Sequence, residues 1–397
     1  MAPLANESLR HQFDRLFRAG GRTRVIRSPG RVNLIGEHTD YNDGFVFPMA
    51  IEPEIRIVCR GRDDGRIRVA SGHFDDAIVE FVVDGALQPG EPTWANYVKG
   101  VAAEMVRAGI PLSGMDAYIV GTLPLGGGLS SSAALEVGVA RALLTVEGLD
   151  MDLSRLARLC QKAEHEFAHM PCGIMDQTIV AMGRAGHAML LDCRDLSKQF
   201  VPLNSSEVRI VIVDSAVKHV LPDSPYAKRR RQCEEGVRFF QATTPAVRAL
   251  RDVSAKQLDE ARPRLDDVVF RRCRHVVTEN QRTTEAAQLL ARGRYEQVGQ
   301  LMLASHQSLK DDYEVTVAET DFLVAESMKV KGVYGARMTG GGFGGCIVAL
   351  AQPRAVEPLG KHLKTAYHAQ FGKTPTIIPT TAAAGAGEMD EPTSTTR

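Results

Sequence analysis

The stretch from Gly30 to Asn42 reads Gly-Arg-Val-Asn-Leu-Ile-Gly-Glu-His-Thr-Asp-Tyr-Asn, crowding an arginine, a glutamate, a histidine and an aspartate into thirteen residues broken by two glycines. It is too charged for a buried strand and too often broken by glycine for a helix. It suits a loop folded back around a small polar molecule. The carboxylates and imidazole would exchange hydrogen bonds with hydroxyls, and Arg31 would supply fixed positive charge. Taken alone, the same residues would also pass for a solvated turn after a strand.

Two further segments weigh against the plain turn. Leu123 to Leu135 carries three consecutive glycines (Gly126, Gly127, Gly128), Leu129, three serines (Ser130, Ser131, Ser132) and then a helix-like Ala-Ala-Leu. Glycines leave backbone N–H groups uncovered, and a glycine-rich turn opening a helix favours an anion. No Gly-Lys-Ser/Thr closes the loop, so it is not a Walker A sequence. A phosphate would be held by backbone and hydroxyls, with one serine free to face a magnesium ion. Between Gly340 and Gly345, five glycines in six positions lead into the apolar run Cys346–Leu350. Glycine that dense before a strand points to close backbone approach; the plainer reading is a loose hairpin turn.

Together these segments resemble the three motifs of the GHMP small-molecule kinases, and the residues from Gly30 resemble the galactose-phosphorylating branch of that family. The resemblance runs from about Arg27 to Leu350 with motif order and spacing intact. It implies an α+β fold of two domains, ribosomal-protein-S5-like and then ferredoxin-like, with the site in the cleft between them. It also implies ATP-dependent phosphorylation of the anomeric hydroxyl of α-D-galactose, the first committed step of galactose catabolism, with Mg2+. The phosphates fall to Gly126, Gly127, Gly128, Leu129, Ser130, Ser131 and Ser132. The metal falls to Ser132 and to Glu164, which lies i+4 from Cys160 and i+7 from Ala157 on an apolar helical stripe. The stripe alone would equally accommodate a buried salt bridge. Asp176, in Cys-Gly-Ile-Met-Asp-Gln, matches the family's base, with Arg31 beside it; on position alone it is an N-terminal helix stabiliser. Whether it takes the proton or only aligns the hydroxyl stays open at this level. Glu37, His38, Thr39 and Asp40 fall to the sugar hydroxyls, with Gly173 allowing close approach and Tyr226 matching a sugar-contacting tyrosine. Trp94 aligns with an aromatic near adenine, and Ser71 is placed at the nucleotide.

Other readings are weaker. His165-Glu166-Phe167-Ala168-His169 fits the zinc-peptidase pattern His-Glu-x-x-His, but Pro171 ends the helix and Phe167 continues the apolar stripe. A galactose and ATP sensor without catalysis would carry a damaged phosphate loop, and this one is uninterrupted. A kinase for N-acetylgalactosamine would differ just after Glu37-His38, where this chain keeps Thr-Asp-Tyr-Asn-Asp-Gly.

The elements that must position these residues are legible as alternating patterns. With 397 residues there is room for two cores, and 48 basic against 48 acidic side chains give no cause to expect nucleic acid or an anionic membrane. No apolar run spans a bilayer and no signal-peptide pattern opens the chain. Seven cysteines without Cys-x-x-Cys suggest reduced thiols in the cytosol, and a monomer is expected. Strands are expected at 55–59, 77–83, 187–192 and 208–213, and helices at 94–108, 133–144, from 153 and at 174–182. Helical sequence dominates from 226 to 328, where Lys228–Arg231 reads as a solvated face. We place an N-terminal domain at 1–204, a C-terminal domain at 205–387 and a disordered tail at 388–397.

Overall fold

A computed structural model of the chain describes residues 5–84, 86–124, 128–218 and 225–389. The chain opens with α1 (Asn6–Phe17), β1 (Arg24–Asn33), β2 (Phe45–Val46), β3 (Pro48–Gly61), β4 (Arg66–Ser71) and β5 (Val79–Val82). Next come α2 (Ala95–Arg107), β6 (Gly114–Gly121), α3 (Ser131–Glu147), α4 (Leu153–Phe167), α5 (Met175–Met182), β7 (His187–Asp192) and β8 (Lys198–Pro202). Then follow β9 (Arg209–Lys218), α6 (Pro225–Gln241), α7 (Ala255–Ala261), α8 (Asp267–Ala291), α9 (Tyr295–Ser308) and α10 (Ala318–Ser327). The last elements are β10 (Val333–Thr339), β11 (Gly344–Ala351), α11 (Val356–Phe371), β12 (Thr376–Thr380) and β13 (Gly387–Glu388). The expected elements are present, and the fold is α+β.

Three sheets organise the molecule. The first runs β13-β1-β3-β6-β4-β5, the second β10-β11-β9-β12 and the third β2-β7-β8. Apolar side chains of β1, β3 and β6 pack with those of α2, α3, α4 and α5 in one large core. That core continues into Ala286, Leu290, Val298 and Met302 of α8 and α9, so the two halves share packing. The second sheet has its own core, in which Val211, Ala336 and Ile347 meet Leu323, Leu359 and Tyr367 of α10 and α11. α4 starts where the Asp152 carboxylate accepts the Arg155 N–H at 3.0 Å, which satisfies one of the helix's free donors.

Three expectations are revised here. Asn204 does lie between β8 and β9, but the chain later returns to the first sheet. Glu388 of β13 faces Ile26 of β1 and pairs with Arg24, and the Met389 N–H reaches the Val25 carbonyl at 2.8 Å. The proposed tail therefore loses its first two residues to the sheet; residues 390–397 lie outside the described residues. Arg229 is buried, not solvated, because its guanidinium donates to the carbonyls of Tyr313 (2.6 Å) and Glu314 (2.7 Å). α4 ends at Phe167, so His165 and His169 share no helical face. Among the described residues no helix is long and apolar enough to cross a membrane, and all seven cysteines are free thiols.

Candidate active site

A cleft of about 460 Å³ opens where the end of β1, the N-terminus of α3, the start of α5, the start of α6 and the β10–β11 loop converge. Arg31 and Asp176 meet at its wall. The pairing of β1 with β3 shifts register between Pro29 and Arg31, which re-aims the strand locally. Gly30 lets that strand lie against the phosphate loop, since a Cβ there would sit 2.8 Å from the Leu129 carbonyl oxygen. Arg31 Nε and Nη2 each reach a different oxygen of Asp176 at 2.6 Å, a bidentate pair, and Nη1 donates to the Gly128 carbonyl at 2.7 Å. Asp176 stands in the first turn of α5 and also accepts a hydrogen bond from the Ser130 hydroxyl.

The sugar-motif loop supplies the neighbouring wall. Glu37, His38 and Asp40 line the cleft with Gly173 and Tyr226. Glu37 is buried and accepts hydrogen bonds from the Asn33 side chain and the Gly340 N–H. His38 has a left-handed backbone (φ 62°), and its Nδ1 lies 2.8 Å from the Tyr41 hydroxyl. Burial pushes its pKa down to about 3, so the ring is neutral, and its buried Nε2 has no hydrogen-bond partner among the described residues. Burial first and Asp176 second push the Asp40 carboxyl up to about 7. Gly173 is required here: a Cβ would overlap the Asp40 carboxylate. The Tyr226 ring lies 5.5 Å from His38 and 5.4 Å from Tyr41.

Thr39 is a correction. It is fully buried, and its hydroxyl is spent inside the loop on the carbonyls of Gly36 (2.9 Å) and Phe45 (2.7 Å), so it shapes the wall without facing the cleft. The Leu129 side chain is core and its carbonyl accepts the Arg31 N–H at 3.1 Å, so any contact it makes with a phosphate is through its backbone N–H. Gly126 and Gly127 lie outside the described residues. Gly128 (φ 76°) and Ser130 (φ 59°) take left-handed conformations, which turn the chain sharply into α3. The Ser130 hydroxyl donates to the Asp176 carboxylate.

Ser131 and Ser132 open α3 and face both the cleft and an adjoining apolar cavity of about 190 Å³. Ser71, Phe74, Trp94 and Tyr97 line that cavity, with Trp94 stacked on Phe74 at 5.2 Å between ring centroids. Glu164 reaches the cleft from α4 although only 5 % exposed. It accepts hydrogen bonds from Gln177 Nε2 at 2.6 Å, Cys172 Sγ at 3.2 Å and Ser132, while burial raises its pKa. No salt bridge to Glu164 exists among the described residues, so the ion-pair alternative is not what is built. Fully buried Glu136 draws on the same Gln177 amide, its pKa raised by burial and then by Glu164. The glycine run is both a β10–β11 hairpin turn and a cleft wall.

Sequence reasoning missed the groups that hold this loop from behind. Glu279 of α8 accepts the Gly36 N–H at 3.0 Å, and Asn280 accepts the Phe45 N–H at 2.8 Å. Arg337, fully buried on β10, had one available signal: a charged residue in an otherwise apolar strand.

Comparison with known proteins identifies the family. Residues 11–61 match the model of the galactokinase galactose-binding signature, 96–184 the GHMP kinases N terminal domain and 286–369 the GHMP kinases C terminal domain. The chain is 46 % identical over 365 residues to a galactokinase of Chloroflexus aggregans, covering 92 % of this chain and 93 % of that one. It is 46 % identical over 368 residues to the galactokinase of Homo sapiens, covering 91 % of each. The structure superposes on Lactococcus lactis galactokinase complexed with galactose with a TM-score of 0.93 at 34 % identity, covering 97 % of this chain and 100 % of that chain. The mevalonate kinase of Methanococcus jannaschii shares the fold, with a TM-score of 0.66 at 17 % identity, covering 92 % of this chain and 100 % of that one.

Proposed function

The chain belongs to the galactokinase family, and from that premise we propose that its cleft transfers the γ-phosphoryl group of ATP to the anomeric hydroxyl of α-D-galactose, giving galactose 1-phosphate. The observation that carries the reading is the bidentate Arg31–Asp176 pair, set in one cleft between the Glu37, His38 and Asp40 wall and the serine-lined N-terminus of α3.

In this reading Glu37, neutral His38 and Asp40 hold sugar hydroxyls, and Tyr226 closes the sugar side. Asp176 receives the proton of the anomeric hydroxyl as its oxygen attacks phosphorus. Arg31 lies where it offsets the charge growing on that oxygen and the transferring group. Ser130 fixes the Asp176 carboxylate. Backbone N–H groups and hydroxyls at Ser131 and Ser132 take the phosphates, aided by the dipole of α3. The apolar cavity beside them, with Trp94, Phe74 and Ser71, takes the nucleotide base.

A divalent cation fits the donor set. Glu164 is a buried carboxylate with no basic partner among the described residues, and the Ser132 hydroxyl is hydrogen-bonded to it beside the phosphate loop. Mg2+ is commonly held by one or two protein oxygens together with phosphates. Glu164 and Ser132 would hold it, and when bound it supplies charge neutralisation on the triphosphate.

We further divide the chain near Asn204, with β13 returned to the first sheet. Seven free thiols suit a reducing cytosol. Steady-state kinetics with D-galactose, N-acetylgalactosamine and glucose test the reading. Galactose is expected to have the highest kcat/KM; equal or better values for either competitor would overturn it.

A further inference from the structure

Arg337 is the largest fully buried side chain among the described residues, and it is not among those that line the cleft. An arginine in that position needs partners for its charge and its five donors. Its partners converge on the sugar-motif loop. Nη1 donates to the Asn33 carbonyl at 3.3 Å and lies 3.5 Å from Oε1 of Glu37. Nε donates to the Ser305 hydroxyl at 3.1 Å, and that hydroxyl donates in turn to Glu279 at 2.5 Å. Nη2 lies 3.8 Å from Glu279 and has no hydrogen-bond partner among the described residues.

One guanidinium thus stands between two buried carboxylates. Glu279 has a second cation, Arg282, at 2.7 Å, and it grips the loop backbone through the Gly36 N–H. For Glu37, by contrast, Arg337 is the cation in salt-bridge range among the described residues. The hydrogen-bond donors to Glu37 are neutral: the Asn33 amide and the Gly340 N–H. A carboxylate only 2 % exposed with no cation would bear the full cost of its burial and turn from its place. The fork also fixes direction. A single nitrogen, Nη1, serves both the last residue of β1 and the carboxylate four residues on, which sets the reach of Glu37 into the cleft.

We propose that Arg337 is a positioning residue for sugar recognition: it holds the Glu37 carboxylate aimed into the cleft without touching the sugar. This rests on Glu37 being a sugar ligand, as assigned above. Lysine at 337 would keep the charge but lose the planar fork, so it could not serve Asn33, Glu37 and Ser305 together.

The test compares Arg337→Lys, Ser305→Ala and Glu37→Gln, each shown to be folded by thermal melting, with kcat and both KM values measured. Arg337→Lys should raise the KM for galactose about tenfold or more, the scale of one lost charge-assisted hydrogen bond. Its kcat and its KM for ATP should stay within about threefold, a split that general loosening of the core would not give. Ser305→Ala should move the same constant in the same direction by less. Adding Arg337→Lys to Glu37→Gln should raise it little further. If Glu37→Gln raises the galactose KM and folded Arg337→Lys does not, the proposal is wrong while the sugar site stands. If Glu37→Gln leaves that KM unchanged, the assignment of Glu37 itself fails. Should Arg337→Lys not fold, Ser305→Ala carries the test, and an unchanged galactose KM in it overturns the proposal.

Discussion

Replacing Asp176 with asparagine separates chemistry from binding. The substitution keeps the size of the side chain and removes its charge. The Arg31 side chain is 6 % exposed and that of Asp176 is 23 % exposed, so the guanidinium loses its counter-charge in a largely dry place. Breaking a fully buried pair costs about 3–5 kcal/mol. Here the cost is smaller, because Asp176 is partly wet and Arg31 Nη1 keeps the Gly128 carbonyl at 2.7 Å. About 1–3 kcal/mol is expected, a fall of several degrees in Tm. An asparagine oxygen can still accept from Ser130, while its NH2 group must face arginine donors. Loss of a general base costs roughly a hundred- to ten-thousand-fold in rate, or about 3–5.5 kcal/mol of barrier. Galactose affinity should survive within a few-fold, because Glu37, His38 and Asp40 keep their places. The assay is kcat from a coupled ADP-release measurement beside galactose binding by calorimetry, on protein with a cooperative melt. A kcat reduced less than about tenfold would make Asp176 a helix stabiliser only. Loss of sugar binding along with rate would move its role to the ground state.

Glu164→Gln should raise the magnesium concentration needed for half-maximal rate, and an unchanged titration would refute the ligand assignment. Its stability has a definite sign in metal-free buffer. Burial raises the folded pKa of Glu164 above the ordinary 4.5, so its favourable contribution is complete only below that pH and is lost as pH rises. The variant should therefore melt higher than the parent near neutrality, by a margin that grows from acid to neutral pH. Asp40, raised to about 7 chiefly by burial, should give kcat/KM for galactose an acid limb near neutrality that Asp40→Asn lacks. Its stabilising contribution is likewise present below about 3.8 and lost as pH rises through about 7, at no more than about 1.4 kcal/mol per pH unit. A parent profile flat between pH 6 and 8 would contradict the Asp40 reading.

The segments that line the cleft were readable because glycine at 30, 128, 173 and 340 and charge at 31, 37, 40 and 176 fall in motifs that resemble those of the GHMP kinases, and the structure brings those segments together. Within the segments, sequence could not say which residue faces in. Thr39 sits among cleft residues, yet it spends its hydroxyl on the loop's own carbonyls. The supporting layer was less visible still. Glu279 in a charged helix reads like any solvated glutamate until α8 is seen packed behind the Gly36 N–H. Arg229 was hidden in a run of four basic residues, of which it alone is buried. Glu388 and Met389 sit in a mostly polar stretch, and they are ordered by backbone pairing with β1, by the Arg24–Glu388 ion pair and by packing of Met389 against the cluster around Leu9, Phe13 and Val25.

The central claim is that this cleft directs a phosphoryl group to one particular hydroxyl. The most direct measurement is phosphorus and proton NMR of the product formed from D-galactose, ATP and magnesium. The account predicts α-galactose 1-phosphate, seen as coupling of phosphorus to the anomeric proton, in amounts equal to the ADP released. Phosphate on any other carbon, or ADP released without a sugar phosphate, would contradict it.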